Sequence, residues 1–256
     1  MDFSDWLGLT ATTFVAALVY AVSGFGFAVL AAPLYLLFIE PARAIQLVII
    51  ISTALAIIAV PGLRRSVAPM LLLRLGLGSI AGLPVGLAAF RLADPLLVRL
   101  GVGITICGFA TLIAATHGRR GQRWAPVAMS PARDLGAGIV SGIATAMVGM
   151  AGPPVLIYLL LAQTGAATVR ATLLAFFALS YGVTLLSHAV TIGIPGSTWV
   201  AALALIPAAI LGGLAGRPIG DRLAGESFTI LATALLAAAG LYTLAAASVE
   251  LAAHLQ

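Results

Sequence analysis

The chain has 256 residues, of which 62% are hydrophobic and only 8% are charged, and its mean hydropathy is +1.16. A soluble domain of this size cannot bury so much apolar surface, so the composition excludes a soluble globular protein and predicts a protein whose solvent is lipid. The net charge of +5 comes from thirteen arginines and no lysine, and these lie between apolar runs rather than in a basic domain, so nucleic acid is not an expected partner.

Ten apolar runs follow one another along the chain and predict an all-α, polytopic transmembrane helix bundle. A bilayer crossing needs about 20 apolar residues, and shorter runs suit broken or re-entrant segments. Runs 1–2 and runs 6–7 could each form either two full membrane crossings or one re-entrant hairpin. The runs are residues 6–22, 26–39, 43–60, 68–90 and 95–116 in the first half, and 135–150, 153–167, 169–190, 198–217 and 227–248 in the second.

One long polar stretch separates the two halves. Residues 117–134 contain four arginines, so the positive-inside rule places this loop in the cytoplasm. We therefore expect a first transmembrane repeat at 1–116, a cytoplasmic basic linker at 117–134 and a second transmembrane repeat at 135–256. Counting five segments in each direction from the linker puts both termini outside, and ten of the thirteen arginines then fall inside.

A nine-residue pattern occurs once in each half. Residues 78–86 read GSIAGLPVG and residues 212–220 read GGLAGRPIG, with five identical positions at an offset of 134. An odd number of segments per half makes the two repeats inverted, which is typical of secondary transporters. The glycines recur every four residues, so we expect them to pack against another helix, with hinges at Pro84 and Pro218 as the alternative.

A second repeated feature is a break in the apolar sequence. Residues 23–35 read SGFGFAVLAAPLY and residues 141–158 read SGIATAMVGMAGPPVLIY. Glycine and proline interrupt helices, and the freed N–H groups and the positive end of the following half-helix attract anions. We expect the breaks at 23–27 and 149–154 to meet near the membrane midplane and bind the substrate. Two tight extramembrane turns are the alternative.

The candidate substrate-binding residues lie at a break or carry a hydroxyl in the third or eighth run. They are Ser23, Gly24, Phe25, Gly26, Pro33, Ser52, Thr53, Gly149, Gly152, Pro153 and Ser180. Backbone amides of 23–26 and 149–152 would hold the anion, and the hydroxyls would donate to its oxygens unless they bond back to their own helices. Arg43 and Arg170 match at an offset of 127 and form a candidate anion gate, with interfacial anchoring as the alternative.

Several chemistries have no support in the sequence. No nucleotide-binding or catalytic motif is present, so we expect neither a cofactor nor enzyme activity. His188 has no Cys, Asp or Glu around it, which argues against a metal site; we expect a hydrogen-bonded interfacial histidine, with a proton relay as the alternative. The acidic residues, Asp134 included, fall at loop or terminal positions, a pattern that suits anion transport better than cation transport.

Taken together, these motifs resemble the sulfite exporter TauE/SafE family. The resemblance rests on SGFGFAVLAAPL, on IISTAL in the third run and on GMAGPPVLIYLL, and it covers roughly residues 10–248. It implies a multi-pass permease of the inner cell membrane for a small sulfur-containing or organic anion such as sulfite, sulfoacetate or another sulfonate. The inverted repeats predict that this permease works by alternating access. A non-transporting assembly factor and a transporter of another small solute stay open, as does a homodimer.

Overall fold

A computed structural model describes residues 2–59, 67–92, 94–118, 128–162 and 166–222. Within these ranges every regular element is a helix and no strand occurs, which confirms the all-α prediction. The tenth predicted run, 227–248, lies outside the described residues. The helices are α1 (Phe3–Ser23), α2 (Phe27–Tyr35), α3 (Pro41–Ala59), α4 (Pro69–Leu92), α5 (Pro95–Gly118), α6 (Pro131–Val148), α7 (Gly152–Leu161), α8 (Ala166–Thr191) and α9 (Gly196–Arg222).

Five of the described helices contain a stretch long and apolar enough to cross a membrane. Large aliphatic side chains remain exposed on them, for example Leu203 and Leu186, each 65% exposed. Such surfaces are unfavourable in water and suit lipid, so the helices make this a multi-pass membrane protein. The stretches are Phe3–Ser23, Pro41–Ala59, Pro69–Leu92, Thr168–Thr191 and Gly196–Gly216.

The second and seventh runs form short helices after a glycine stop. Gly24 caps the end of α1 with φ 78°, and Gly149 caps the end of α6 with φ 75°. Both are left-handed conformations that glycine adopts without strain. The next helix begins three residues later in each case. α2 has nine residues and α7 has ten, so each is about 15 Å long, half of a bilayer core.

Each short helix folds back along the long helix before it. The Tyr35 hydroxyl at the end of α2 lies 2.6 Å from the Thr13 hydroxyl in α1. In the same way, the Tyr158 hydroxyl in α7 donates to the Asp134 carboxylate in α6. Both tyrosines belong to the repeated break pattern, so the two hairpins share one construction.

The described residues group into two compact units, and each unit draws on both sequence halves. As far as the structure describes them, unit 1 comprises Met1–Ile45, Leu92–Gln122 and Pro207–Gln256, and unit 2 comprises Gln46–Arg91 and Arg123–Ile206. The first hairpin is therefore in unit 1 with part of α9, and the second hairpin is in unit 2 with α4.

In unit 2 the glycines of α4 pack directly on the backbone of α6, which confirms the packing prediction for the first stripe. A Cβ on Gly86 would lie 2.6 Å from the carbonyl oxygen of Ile143. Steps of four residues on α4 match steps of four on α6, so the two helices run parallel. The matched pairs are Gly78 with Leu135, Gly82 with Ile139, and Gly86 with Ile143.

In unit 1 the second stripe packs on α1 in the same manner. A Cβ on Gly216 would lie 2.5 Å from the carbonyl oxygen of Leu18, and Gly212 meets the carbonyl of Phe14 one turn earlier. These helices are also parallel. Contacts this close need glycine, because any side chain would collide with a backbone that cannot yield.

Substituting a glycine at the α4–α6 contact should destabilise the protein. Gly142→Ala places a Cβ against the Ser79 carbonyl, and we expect it to cost about 1–3 kcal/mol through overpacking. Gly136→Ala on the same helix is the matched control, because a Cβ there meets nothing within 4 Å. Unfolding in mixed micelles measures both. Equal stabilities for the two variants would contradict the proposed packing.

Candidate functional site

The first break satisfies most of its own polar groups. The Gly24 amide donates to the Tyr20 carbonyl at 2.8 Å, and the Phe25 amide donates to the Ser23 hydroxyl oxygen at 3.2 Å. The Ser23 hydroxyl itself bonds to the Val19 carbonyl at 2.7 Å. These two amides, both predicted to hold the anion, and the Ser23 hydroxyl are therefore engaged within the break.

The backbone amides of this break that lack a partner within their own helix lie at the start of α2. Gly26, with φ 107°, is the N-cap and provides no side-chain cap. The first bond of the helix runs from the Leu30 amide to the Gly26 carbonyl at 3.0 Å. The amides of residues 27–29 therefore have no partner within α2, and they lie at its positive end. Pro33 is buried in α2, beyond this first turn.

The second break also engages its amides. The Gly149 amide donates to the Thr145 carbonyl at 3.0 Å, and the Met150 amide donates to the Ala144 carbonyl at 3.4 Å. The next two positions of α7 after Gly152 are prolines and carry no N–H. Of the amides predicted at 149–152, the Gly152 amide is the one in the first turn of α7, where no carbonyl of the same helix can accept from it.

Tyr181 of α8 holds the second break in place. Its hydroxyl donates to the Gly149 carbonyl at 3.2 Å and accepts from the Ala151 amide at 3.3 Å. The Ser141 hydroxyl donates to the Ala151 carbonyl at 2.6 Å. Tyr181 and Ser141 are buried, so the break is fixed by side chains rather than by solvent. Sequence reasoning missed Tyr181, because an aromatic residue in an apolar helix carries no local signal of its partner.

Ser180, a predicted site residue, belongs to a cluster of buried hydroxyl groups next to Tyr181. Its hydroxyl lies 2.9 Å from that of Ser79 on α4 and 3.4 Å from that of Thr145 on α6. Thr145 also donates to the Ser141 carbonyl at 2.6 Å. The cluster ties three helices of unit 2 together.

Ser52 and Thr53 are neighbours in sequence with different surroundings. The Thr53 hydroxyl donates back to the Ile49 carbonyl at 2.7 Å, the alternative that sequence reasoning left open. The Ser52 side chain is 4% exposed, and its hydroxyl has no hydrogen-bond partner among the described residues. It lies near the Tyr181 hydroxyl without reaching hydrogen-bond geometry.

Two more buried polar groups on α8 lack a partner in the described part of the chain. These are the Thr184 hydroxyl and the Nδ1 atom of His188, and both residues are fully buried. The other ring nitrogen of His188 lies 3.0 Å from the Ala146 carbonyl, and the ring packs edge-on against Phe90 at 4.8 Å. His188 is therefore hydrogen-bonded as predicted, and its side chain is fully buried within unit 2. Its interfacial depth in the membrane stays a prediction.

The candidate gate arginines occupy early turns of their helices. Arg43 is half-buried in α3, and Arg170 is exposed in α8. Asp134 lies in the first turn of α6 as predicted, yet it is buried and not solvated. Its carboxylate is 3.1 Å from Arg74, so this charge has a structural partner. No group of three or more potential metal ligands occurs among the described residues.

Removing the Tyr181 hydroxyl should loosen the second break. Tyr181→Phe leaves the Gly149 carbonyl and the Ala151 amide without this partner, at a cost of about 1–3 kcal/mol in unfolding free energy. Tyr35→Phe is the control, because Thr13 keeps its bond to the Leu9 carbonyl. Denaturation in mixed micelles compares them. If Tyr181→Phe proves no more costly than Tyr35→Phe, Tyr181 does not hold the break.

Comparison with known proteins gives one finding. A protein-family model described as "Sulfite exporter TauE/SafE" matches residues 9–243, which include both breaks and both glycine stripes. No curated protein and no solved structure matches the chain.

Proposed function

Because the chain belongs to the sulfite exporter TauE/SafE family, we propose that it is a secondary transporter of a small sulfur-containing or organic anion such as sulfite, sulfoacetate or another sulfonate. Family membership and the apolar helices already make it a multi-pass membrane protein of a transporter family. The proposal adds the substrate class, the inner cell membrane as its location and alternating access as its mechanism.

The observation that carries the proposal is the set of buried, unpartnered polar groups beside the second break. The groups are the hydroxyls of Ser52 and Thr184 and the Nδ1 atom of His188. In lipid such groups are costly to leave unpaired, so their presence favours a polar ligand that supplies the missing bonds. No carboxylate among the described residues forms a hydrogen bond or ion pair with these groups, and a site without negative charge suits an anion.

The first break supplies donors of another kind. The amides of residues 27–29 at the start of α2 are aimed along the helix axis, and the helix dipole makes this end attractive to negative charge. We propose that anion-binding groups lie at both breaks, with amides prominent in unit 1 and side chains prominent in unit 2. Arg43 and Arg170 remain candidates for attracting the anion from solution.

Two inverted five-segment repeats complete the proposal. The shared construction of the α1–α2 and α6–α7 hairpins supports a duplication. The parallel pairing of a glycine helix from each half with a hairpin helix from the other supports an odd number of segments per half. With the arginine-rich loop cytoplasmic, both termini lie outside. An anion leaving such a cell gains about 2.3 kcal/mol per charge for each 100 mV of negative-inside potential.

Flux into proteoliposomes tests this function directly. We expect saturable movement of sulfite and sulfoacetate, well above that of protein-free vesicles, and little movement of acetate. Sulfate tests whether the site selects by shape among sulfur oxyanions. Absence of flux for all four anions in a correctly folded preparation would refute the anion-transporter proposal and favour an assembly role.

The neighbouring hydroxyls of α3 provide a matched pair of variants. Ser52→Ala removes an unpartnered buried hydroxyl and should lower sulfite flux about tenfold, the effect of one lost hydrogen bond to a charged group. Thr53→Ala removes a hydroxyl already bonded to its own helix and should change flux less than twofold. Sulfite uptake at matched protein density measures both. The reverse order of effects would place the site elsewhere on α3.

A further inference from the structure

His188 is held in one tautomer by the end of α6. The Ala146 carbonyl can only accept, so the nitrogen 3.0 Å away, Nε2, carries a hydrogen and donates it. In the neutral ring, Nδ1 then has a free lone pair, and this atom has no partner among the described residues. A proton added to the ring would have to bind at Nδ1.

Two helix ends favour a proton at this position. Ala146 lies in the last turn of α6, which ends at Val148, and His188 lies in the last turn of α8, which ends at Thr191. The C-terminal end of each helix carries partial negative charge from carbonyl groups without an intrahelical partner. Burial disfavours a charge on this imidazole, and the two helix ends offset part of that cost without a carboxylate. A bound anion would supply the remaining compensation.

Charged side chains on the surrounding helices do not contact the ring within the described residues. Asp134 is engaged with Arg74 and Tyr158 about 18 Å along α6 from Ala146. The Tyr181 hydroxyl donates to the Gly149 carbonyl, and Tyr181 precedes His188 by nearly two turns of α8. The charged and titratable groups on α4, α6, α7 and α8, besides His188 itself, are Arg74, Arg91, Arg133, Asp134, Tyr158, Arg170 and Tyr181.

Thr184 adds a second donor on the same face of α8. It precedes His188 by four residues, so the two side chains are neighbours on the helix surface. Both are fully buried, and its hydroxyl also lacks a partner in the described ranges. An oxygen atom placed between them would accept from the Thr184 hydroxyl and from a protonated Nδ1.

We propose that His188 binds one proton together with each transported anion, and that Nδ1–H and the Thr184 hydroxyl both donate to the anion. This inference rests on the proposed transport function. The proton enters from the compartment that supplies the anion, binds the Nδ1 lone pair, and leaves from Nδ1 into the compartment that receives the anion. The positive charge on His188 compensates the negative charge of the bound anion, which lowers the cost of carrying the anion through a low-dielectric interior.

The test counts protons per anion in proteoliposomes. Sulfite enters under a potassium–valinomycin voltage clamp, while a lumenal pH dye reports the protons delivered. His188→Gln keeps an amide N–H for the Ala146 carbonyl but cannot take up a proton. We expect the proton-to-sulfite ratio to fall by about one relative to the wild type, since one titratable site is lost. Protons that enter bound to hydrogensulfite would add equally to the proton-to-sulfite ratios of both proteins, so they cancel when the two ratios are subtracted.

Two further variants separate proton coupling from anion contact. Thr184→Val should raise the half-saturating sulfite concentration about fivefold, because a single hydrogen bond is lost, and leave the proton ratio unchanged. Ser187→Ala is the control, since that hydroxyl bonds back to the Val183 carbonyl at 2.8 Å; it should change neither quantity.

The outcomes are distinguishable. Equal proton-to-sulfite ratios in the wild type and His188→Gln, with flux intact, would overturn the proton coupling alone. No sulfite flux in the wild type would overturn the transport function and this inference with it. If His188→Gln folds but does not transport, sulfite titration calorimetry in two buffers of different ionisation enthalpy counts the protons taken up on binding. Equal counts in the two proteins would again overturn the proposal.

Discussion

The constraint on which this structure depends is that lipid provides no hydrogen bonds. Where a helix breaks inside the apolar interior of such a protein, its freed backbone groups must find partners within the protein. At the second break Tyr181 and Ser141 supply those partners, and at the first break Ser23 does so locally. The same constraint makes the exceptions informative, because a buried polar group that the fold leaves unpaired is costly unless a ligand completes it.

The glycine stripes determine which helices can support the breaks. Backbone contact between α4 and α6 brings Ser79 and the α6 hydroxyls close to Ser180 on α8. A larger residue at Gly82 or Gly142 would separate these helices and the hydroxyl cluster with them. The stripes are therefore packing elements with a functional consequence: they allow residues from both sequence halves to surround the second break in unit 2.

Local features were readable from the residues alone. The breaks at Gly24 and Gly149, the short helices after them and the packing role of the stripes follow from glycine and proline geometry and from hydropathy. The candidate site was only partly readable. Ser180 and Thr53 were identified by type, but their hydroxyls turned out to be engaged, while Thr184 was not identified and Tyr181 was overlooked.

The sequence by itself determined a helical membrane protein, its two broken hairpins and its family, because these depend on hydrophobicity, backbone geometry and short motifs within one segment. Only the tertiary structure decided which polar groups are paired. Whether Ser52, Thr184 or His188 has a partner depends on side chains from helices dozens of residues away, and on how closely glycine lets those helices approach. Hydrogen-bond satisfaction is a property of packing, so no local pattern encodes it.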